Sequence, residues 1–268
     1  MTALAHPNAT STMSRVVEHR WLQYKRTFRA SIFSSFLSPV LFLTAMGLGL
    51  GSYVSGSSID DIGGVPYLVF LAPGLLAATA MQSAAFEATF PIMGGLVWNK
   101  VFRAMFATPI SARDITLGNL VWIAFRLTLI STVFTLVMIV FGAAESPLVV
   151  LAIPGAVLTG MAFAAPIMAF SATQKTPNKF NAIFRFGITP LFLFSGTFFP
   201  VESIPEGLRP LAWVTPLYHG ADLSRTLSLG TVLDDPALAV IHVLVLAACV
   251  VVGTWAATRT IERALVIG

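Results

Sequence analysis

The sequence predicts an all-α polytopic membrane protein, and three observations support this class. Of the 268 residues, 56% are hydrophobic and only 10% are charged, whereas soluble domains carry roughly 25% charged residues. The apolar residues form long continuous runs, unlike the alternating pattern of a membrane β-barrel. Basic residues concentrate in alternate loops, which is typical of a chain that crosses a bilayer repeatedly.

Six apolar runs are long enough to cross a bilayer as helices, each requiring about 20 predominantly apolar residues. They lie at about residues 32–54, 67–90, 116–142, 147–173, 182–200 and 237–258. The predicted organisation is therefore an N-terminal cytoplasmic segment, 1–30, followed by a transmembrane domain, 31–268.

The basic residues predict the orientation. Thirteen of the 16 Lys and Arg residues lie on one side of the predicted spans, and eight acidic residues lie on the opposite side. The excess of positive charge marks the cytoplasmic side, so we expect both termini in the cytoplasm. The net charge of +4 then reflects topology, and we expect no nucleic-acid partner.

Two cytoplasmic segments are amphipathic. In residues 14–29, Val17, Trp21, Tyr24 and Phe28 form a narrow apolar stripe, which predicts an interfacial helix in contact with membrane lipid. This helix is either a simple anchor or a lever joined to the first span. In the second segment, which Pro109 ends, the apolar face comprises Trp98, Val101, Phe102, Met105 and Phe106, and the other face comprises Asn99, Lys100 and Arg103. It either docks on a cytoplasmic partner or lies on lipid.

Two charged residues, Glu87 and Arg126, fall within predicted spans. Such residues usually face protein or water, and the opposite directions of the two spans allow an ion pair. The pair either holds spans two and three together or takes part in gating. The sequence shows no P-loop motif for ATP, no metal-ligand spacing among its histidines and no catalytic constellation, so we expect no enzyme activity in this chain.

Residues 195–225 contain two short apolar runs separated by Pro200, Pro205, Gly207 and Pro210. Neither run can cross a bilayer, and the segment lies between two predicted spans. Its aromatic residues either line an exit path or form an interfacial aromatic belt.

Several short motifs resemble one family. The runs 86–90 (FEATF), 107–111 (ATPIS), 115–118 (ITLG), 194–200 (FSGTFFP) and 211–220 (LAWVTPLYHG) resemble those of type-2 ABC exporter permeases. The nodulation-factor lipo-oligosaccharide and daunorubicin-type drug export permeases are the most similar subgroup. One departure is Asn119, because that subgroup often has a carboxylate after the Leu-Gly pair.

The resemblance implies the membrane permease subunit of an ATP-driven exporter for an amphiphilic substrate, either a hydrophobic drug or a lipid-linked saccharide. It implies a homodimer with separate ABC ATPase subunits that bind ATP and magnesium, and no cofactor in this chain. Residues 97–109 would form the coupling helix and 14–29 the connecting helix. A re-entrant helical hairpin would cap the exit between spans five and six. The residues expected at the ATPase contact are Trp98, Lys100, Phe102, Arg103 and Phe106, and those expected at the exit are Phe198, Phe199, Trp213, Tyr218 and His219. The alternative is a secondary active transporter for a hydrophobic solute, although neither inverted repeats nor midplane carboxylates are evident.

Overall fold

The computed structural model describes residues 9–45, 61–62, 65–203, 205–207 and 209–267. Its α-helices are α1 (Ala9–Thr44), α2 (Tyr67–Met93), α3 (Val101–Phe106), α4 (Ala112–Val140), α5 (Ala152–Ser171), α6 (Asn178–Ile183), α7 (Thr189–Phe194), α8 (Arg209–Val214), α9 (Pro216–Leu229) and α10 (Pro236–Ile267). Two short antiparallel strands, β1 (Asp61–Ile62) and β2 (Val65–Pro66), precede α2, with Ile62 opposite Val65. The chain is therefore mostly helical, as the composition predicts.

Four helical segments are long and apolar enough to cross a membrane. They are Tyr67–Trp98, Ala112–Val140, Val149–Ser171 and Pro236–Ile267. The predicted first span extends past residue 45 and so lies partly outside the described residues. The predicted fifth span corresponds to α6, a π-helical turn at Phe184–Ile188, and α7. That segment ends at Phe194, six residues before the predicted end at 200, and the total of six spans stays a prediction.

Small residues allow the central helices to pack closely. On α5, a Cβ atom added at Gly160 would lie 3.0 Å from the Ala80 carbonyl oxygen of α2 and 2.6 Å from Leu127 of α4. On α10, a Cβ atom at Gly253 would lie 2.6 Å from the Pro166 ring of α5. Such contacts are the usual means of helix association in lipid, because lipid chains compete equally for apolar side chains. Helices α2 and α5 thus form the centre of the bundle.

The N-terminal amphipathic segment is part of one long helix. Residues 14–29 lie within α1, which continues without a break from Ala9 to Thr44. The aromatic stripe packs in part on α4: Tyr24 is buried and meets Trp122 edge-on, and Trp21 meets Phe125. The stripe therefore has a protein neighbour as well as exposed aromatic surface at Trp21 and Phe28.

Charged residues separate to the two ends of the bundle. The basic end, where α2 leads into α3 and α10 finishes, carries Lys100, Arg103, Arg113, Lys175, Lys179, Arg259 and Arg263. The acidic end carries Glu145, Glu202, Glu206, Asp234 and Asp235. At the acidic end, the backbone amides of Glu145 and Ser146 both donate to the Ser228 carbonyl, which joins the turn after α4 to the end of α9.

Candidate functional site

The segment between α2 and α4 is not one continuous helix, so the predicted helix over 97–109 is wrong in its extent. Helix α2 runs on through a π-helical turn, Gly94–Trp98, which the Asn99 amide closes by donating to the Gly94 carbonyl. Lys100 then adopts a left-handed conformation, with φ 53°, which a helix cannot include. Only Val101–Phe106 forms α3, because the backbone reverses at Lys100.

Phe102 faces the helical bundle, so its predicted place at the ATPase contact stays a prediction. Its side chain is only 2% exposed, and it lies over Gly95, where an added Cβ atom would be 2.5 Å from the ring. The other four residues predicted at the contact, Trp98, Lys100, Arg103 and Phe106, are exposed. Phe102 therefore attaches α3 to the end of α2, and the remaining aromatic and basic side chains point outward.

The structure brings the two intramembrane charges together. The Arg126 Nε atom lies 3.4 Å from the Glu87 Oε1 atom, and the two side chains are only 16% and 18% exposed. The Arg126 guanidinium also lies 4.7 Å from the centre of the Tyr24 ring. Since Glu87 is on α2, Arg126 on α4 and Tyr24 on α1, the pair joins three helices near the basic end.

Arg20 and Asn119 form a second polar contact that sequence reasoning did not identify. The Arg20 Nε atom donates to the Asn119 Oδ1 atom at 2.8 Å. Asn119 is buried, and its Nδ2 atom donates to the Ile115 carbonyl at 2.7 Å. Asn119 occupies the position at which the similar permeases often have a carboxylate, and that departure was the available signal. In this chain the neutral side-chain amide of Asn119 accepts the hydrogen bond from Arg20.

A chain of polar side chains lies at the acidic end. The Asp222 Oδ2 atom is 3.0 Å from His242 Nε2, and His242 Nδ1 is 2.7 Å from His219 Nδ1. Asp222 Oδ1 also lies 3.7 Å from Arg225, whose guanidinium donates to the carbonyls of Gly196 and Phe70. The cluster ties α9 to α10, to the start of α2 and to the turn after α7. Burial and the nearby His242 lower the pKa of His219.

The predicted exit residues do not form one lining. Phe198 packs edge-on against Phe192 at 4.9 Å, which makes it part of the interior packing. Trp213 is 47% exposed, and Phe199 packs on the small cluster formed by Val201 and Ala212. Tyr218 and His219 join the polar chain, with the Tyr218 ring 6.0 Å from that of His242. Tyr218 also borders a cleft of about 250 Å³, together with Glu202, Asp222 and Arg225.

Short helices occupy the stretch between the last two predicted spans. A 3₁₀ turn, Val201–Ser203, is followed by α8 and α9, and the α8–α9 break is at Thr215, whose hydroxyl caps α9 through the Tyr218 amide. The break between these two helices therefore lies after the region from Pro200 to Pro210, where the sequence predicts it. Whether these pieces enter the membrane stays a prediction. Among the described residues, no group of three or more His, Cys, Asp or Glu side chains is arranged to hold a metal ion.

Long apolar helices that pack through small residues, with an ion pair inside the bundle and an exposed basic–aromatic segment at one end, are typical of helical membrane proteins. The chain belongs to the ABC-2 type transporter family, whose profile matches residues 13–229. This membership makes it a membrane-embedded permease of an ABC exporter, a class that partners with an ABC ATPase subunit.

Curated relatives cover almost the whole chain. Nodulation protein J of Rhizobium leguminosarum bv. viciae is 31% identical over 250 residues, or 93% of each chain. Nodulation protein J of Rhizobium meliloti (strain 1021) is 30% identical over 250 residues, or 93% of this chain and 92% of the relative. Since 93% of the chain is covered, the similarity extends into α10, which lies beyond the matched family profile.

Proposed function

We propose that this chain is the permease of an ATP-driven exporter that works as a homodimer with two separate ABC ATPase subunits. ATP and magnesium are bound by the ATPase subunits, and this chain provides the path for the substrate. The substrate is an amphiphile, either a hydrophobic drug or a lipid-linked saccharide. The basic end faces the cytoplasm, together with both termini, in accordance with the distribution of positive charge.

The exposed surface of the coupling segment carries this proposal. Trp98, Lys100, Arg103 and Phe106 are exposed at the basic end. Aromatic side chains beside a basic rim suit a groove on a cytoplasmic partner. The buried Phe102 holds this surface to the end of α2, so that a push on α3 displaces α2 directly.

The ion pair provides a route from that surface into the membrane domain. A displacement of α2 moves Glu87 and, through the ion pair, Arg126 of α4. Arg126 in turn contacts the Tyr24 ring of α1, so the movement reaches a third helix. At the acidic end, α2 is tied to α9 by the Arg225 bond to the Phe70 carbonyl. One continuous helix, α2, therefore links the coupling segment to the proposed exit and can carry a displacement between them.

Co-purification tests the assignment of the partner. We expect an ABC ATPase co-expressed with this chain to remain bound during purification and to be lost when Phe106 is replaced by Asp. Arg259→Gln is the matched control, because Arg259 lies at the same end outside the coupling segment. Equal recovery of the ATPase with Phe106→Asp and with Arg259→Gln would exclude α3 as the contact.

Cysteine labelling tests the topology. In a Cys249→Ser background, a cysteine at Ser203 should react with an impermeant thiol reagent added outside intact cells. A cysteine at Glu262, near the end of α10, should react only after the membrane is opened. Labelling of position 262 but not of position 203 in intact cells would reverse the proposed orientation.

A secondary transporter is the alternative, and the energy source separates the two. An ABC exporter stops when ATP is removed and continues when ion gradients are collapsed. A secondary transporter shows the opposite response.

A further inference from the structure

A partly open cleft of about 250 Å³ lies between α1 and the junction of α2 with α3. Its lining includes Arg20, the polar side chains of Gln23 and Asn99, and the rings of Phe90, Trp98 and Phe102. The lining combines one arginine and several neutral polar groups with three aromatic rings. Pockets for drug-sized ligands are usually about 300–1,000 Å³, so this cleft suits the polar end of an amphiphile better than a whole molecule.

The Arg20 guanidinium is only partly used by the protein. Its Nε atom donates to Asn119 Oδ1 at 2.8 Å, and this partner is held in place by the Asn119–Ile115 hydrogen bond. Within the part of the chain that the structure describes, its two terminal nitrogens make no hydrogen bond. Arg20 also lines the cleft. Two donors with the fork geometry that matches phosphate and carboxylate are therefore available there.

The charges around the cleft leave an excess of positive charge. Two guanidiniums, those of Arg20 and Arg126, lie near one carboxylate, that of Glu87. Glu87 pairs with Arg126 at 3.4 Å. Burial lowers the pKa of Arg20, and the Glu87 carboxylate only opposes that shift. A cation removed from water without a close counter-charge is costly, and an anion bound beside Arg20 would offset that cost.

The aromatic walls and the position on α1 indicate the rest of the ligand. Phe90, Trp98 and Phe102 provide an apolar surface beside Arg20. A further aromatic side chain of α1, Trp21, is 37% exposed on the same stretch of helix. Basic residues on an amphipathic helix attract anionic lipid head groups.

We propose that this cleft binds the phosphate-bearing head group of an amphiphile. Arg20 is the anion contact, Phe90, Trp98 and Phe102 hold the apolar part next to the head group, and Asn99 lies at the rim. The ligand is either an anionic phospholipid of the bilayer or the phosphate of an exported molecule, since both present the same chemistry. Occupation of the cleft would fix α1 against the coupling segment.

Lipid binding to the purified full-length chain tests this site without an ATPase. Native mass spectrometry in detergent, with dioctanoyl phosphatidylglycerol and dioctanoyl phosphatidylcholine as probes, gives an affinity for each lipid. We expect the anionic lipid to bind about tenfold more tightly, and we expect inorganic phosphate to compete with it. Equal affinity for the two lipids in the unchanged chain would overturn the proposal.

Charge substitutions identify the contact. Arg20→Gln should remove the preference for the anionic lipid, whereas Arg26→Gln, at an exposed position on the same helix, should keep it. Asn99→Asp should weaken anionic binding and Asn99→Lys should strengthen it. Because Asn99 is exposed, this second pair decides the question even if Arg20→Gln fails to fold. No effect from either charge at position 99, or an unchanged preference in folded Arg20→Gln, would contradict the site.

Transport separates the two sources of the ligand, and only this step rests on the proposed function. In vesicles that contain the permease and its ATPase, the phosphatidylglycerol content is raised at constant substrate. A rise in export that Asn99→Asp reduces identifies a bilayer phospholipid as the ligand. Competitive loss of export places the cleft on the substrate path. The binding result stands in either case, so a failure of transport cannot be mistaken for a failure of the site.

Discussion

Phe102 and Phe106 lie one turn apart on α3 but have different environments, which makes them a matched pair for testing the coupling segment. Phe102 is 2% exposed, against Gly95 and 5.8 Å below the Arg20 guanidinium, whereas Phe106 is 37% exposed. We predict that Phe102→Ala destabilises the permease itself. Phe106→Ala should leave the permease stable and weaken its binding to the ATPase.

The expected magnitudes follow from burial. Removing a fully buried phenylalanine ring costs about 3–5 kcal/mol, and loss of the cation–π contact with Arg20 adds about 0.5–1 kcal/mol. An exposed substitution usually changes stability by about 0.5 kcal/mol, and Phe106, which is partly covered, should cost about 1 kcal/mol. The difference between the two variants is therefore several kcal/mol in stability, with the opposite order expected for ATPase binding.

Thermal unfolding of each purified variant, followed by size-exclusion chromatography, measures the first quantity. The fraction of co-expressed ATPase that stays bound to the remaining folded permease measures the second. If Phe102→Ala unfolds no earlier than Phe106→Ala, Phe102 does not anchor α3. If Phe106→Ala retains the ATPase fully, the exposed face of α3 rests on lipid instead.

Two further predictions concern the polar contacts inside the bundle. Glu87→Gln should reduce export, because it leaves the mostly buried Arg126 without its carboxylate, a loss that costs about 3–5 kcal/mol. Exchanging the two charges should restore part of the activity. Full export by both Glu87→Gln and Arg126→Gln would remove the pair from the mechanism. The second prediction is a pH dependence at the acidic end, where His219 contacts His242 and, through it, Asp222. Because the folded-state pKa of His219 is below its ordinary value of 6.5, its contribution to stability is complete above pH 6.5 and declines as the pH falls below that value. The midpoint temperature of unfolding should therefore decrease as the pH is lowered from 7.5 to 5.5, and this decrease should be smaller in His219→Gln. Identical pH profiles for the two proteins would show that His219 does not titrate in this range.

The sequence was most informative where the signal is local and repeated. Runs of apolar residues located the helices, since each crossing needs about 20 apolar residues in succession. Glu87 and Arg126 were identified as partners because charges are so rare in such runs. The structure places them 3.4 Å apart.

The sequence was least informative where a single backbone conformation changes direction. Helical periodicity places Phe102 and Phe106 on one face, and they do lie one turn apart on α3. The left-handed conformation of Lys100 restarts the helix after the π-helical turn, which brings Phe102 onto Gly95 and leaves Phe106 exposed. The sequence pattern does not predict a positive φ at a lysine, since glycine and asparagine are the residues that usually adopt this conformation.

Contacts between distant parts of the chain were also not visible in the sequence. His219 and His242 are 23 residues apart, and the spacing of the histidines predicts no metal site, yet the packing of α9 on α10 brings the two rings to 5.0 Å. Arg20 and Asn119 are 99 residues apart. Such pairs depend on tertiary packing, which a single sequence does not specify.

Export driven by ATP through the coupling segment is the central claim, and one measurement tests it most directly. Inverted membrane vesicles that contain the permease and its ABC ATPase are incubated with a fluorescent amphiphile in the medium, and uptake is followed with ATP, without ATP, and with ATP after ion gradients are collapsed. We predict uptake only with ATP, unchanged by the loss of gradients, and abolished by Phe106→Asp in vesicles where the permease remains inserted. Uptake that persists without ATP and disappears with the gradients would contradict the account.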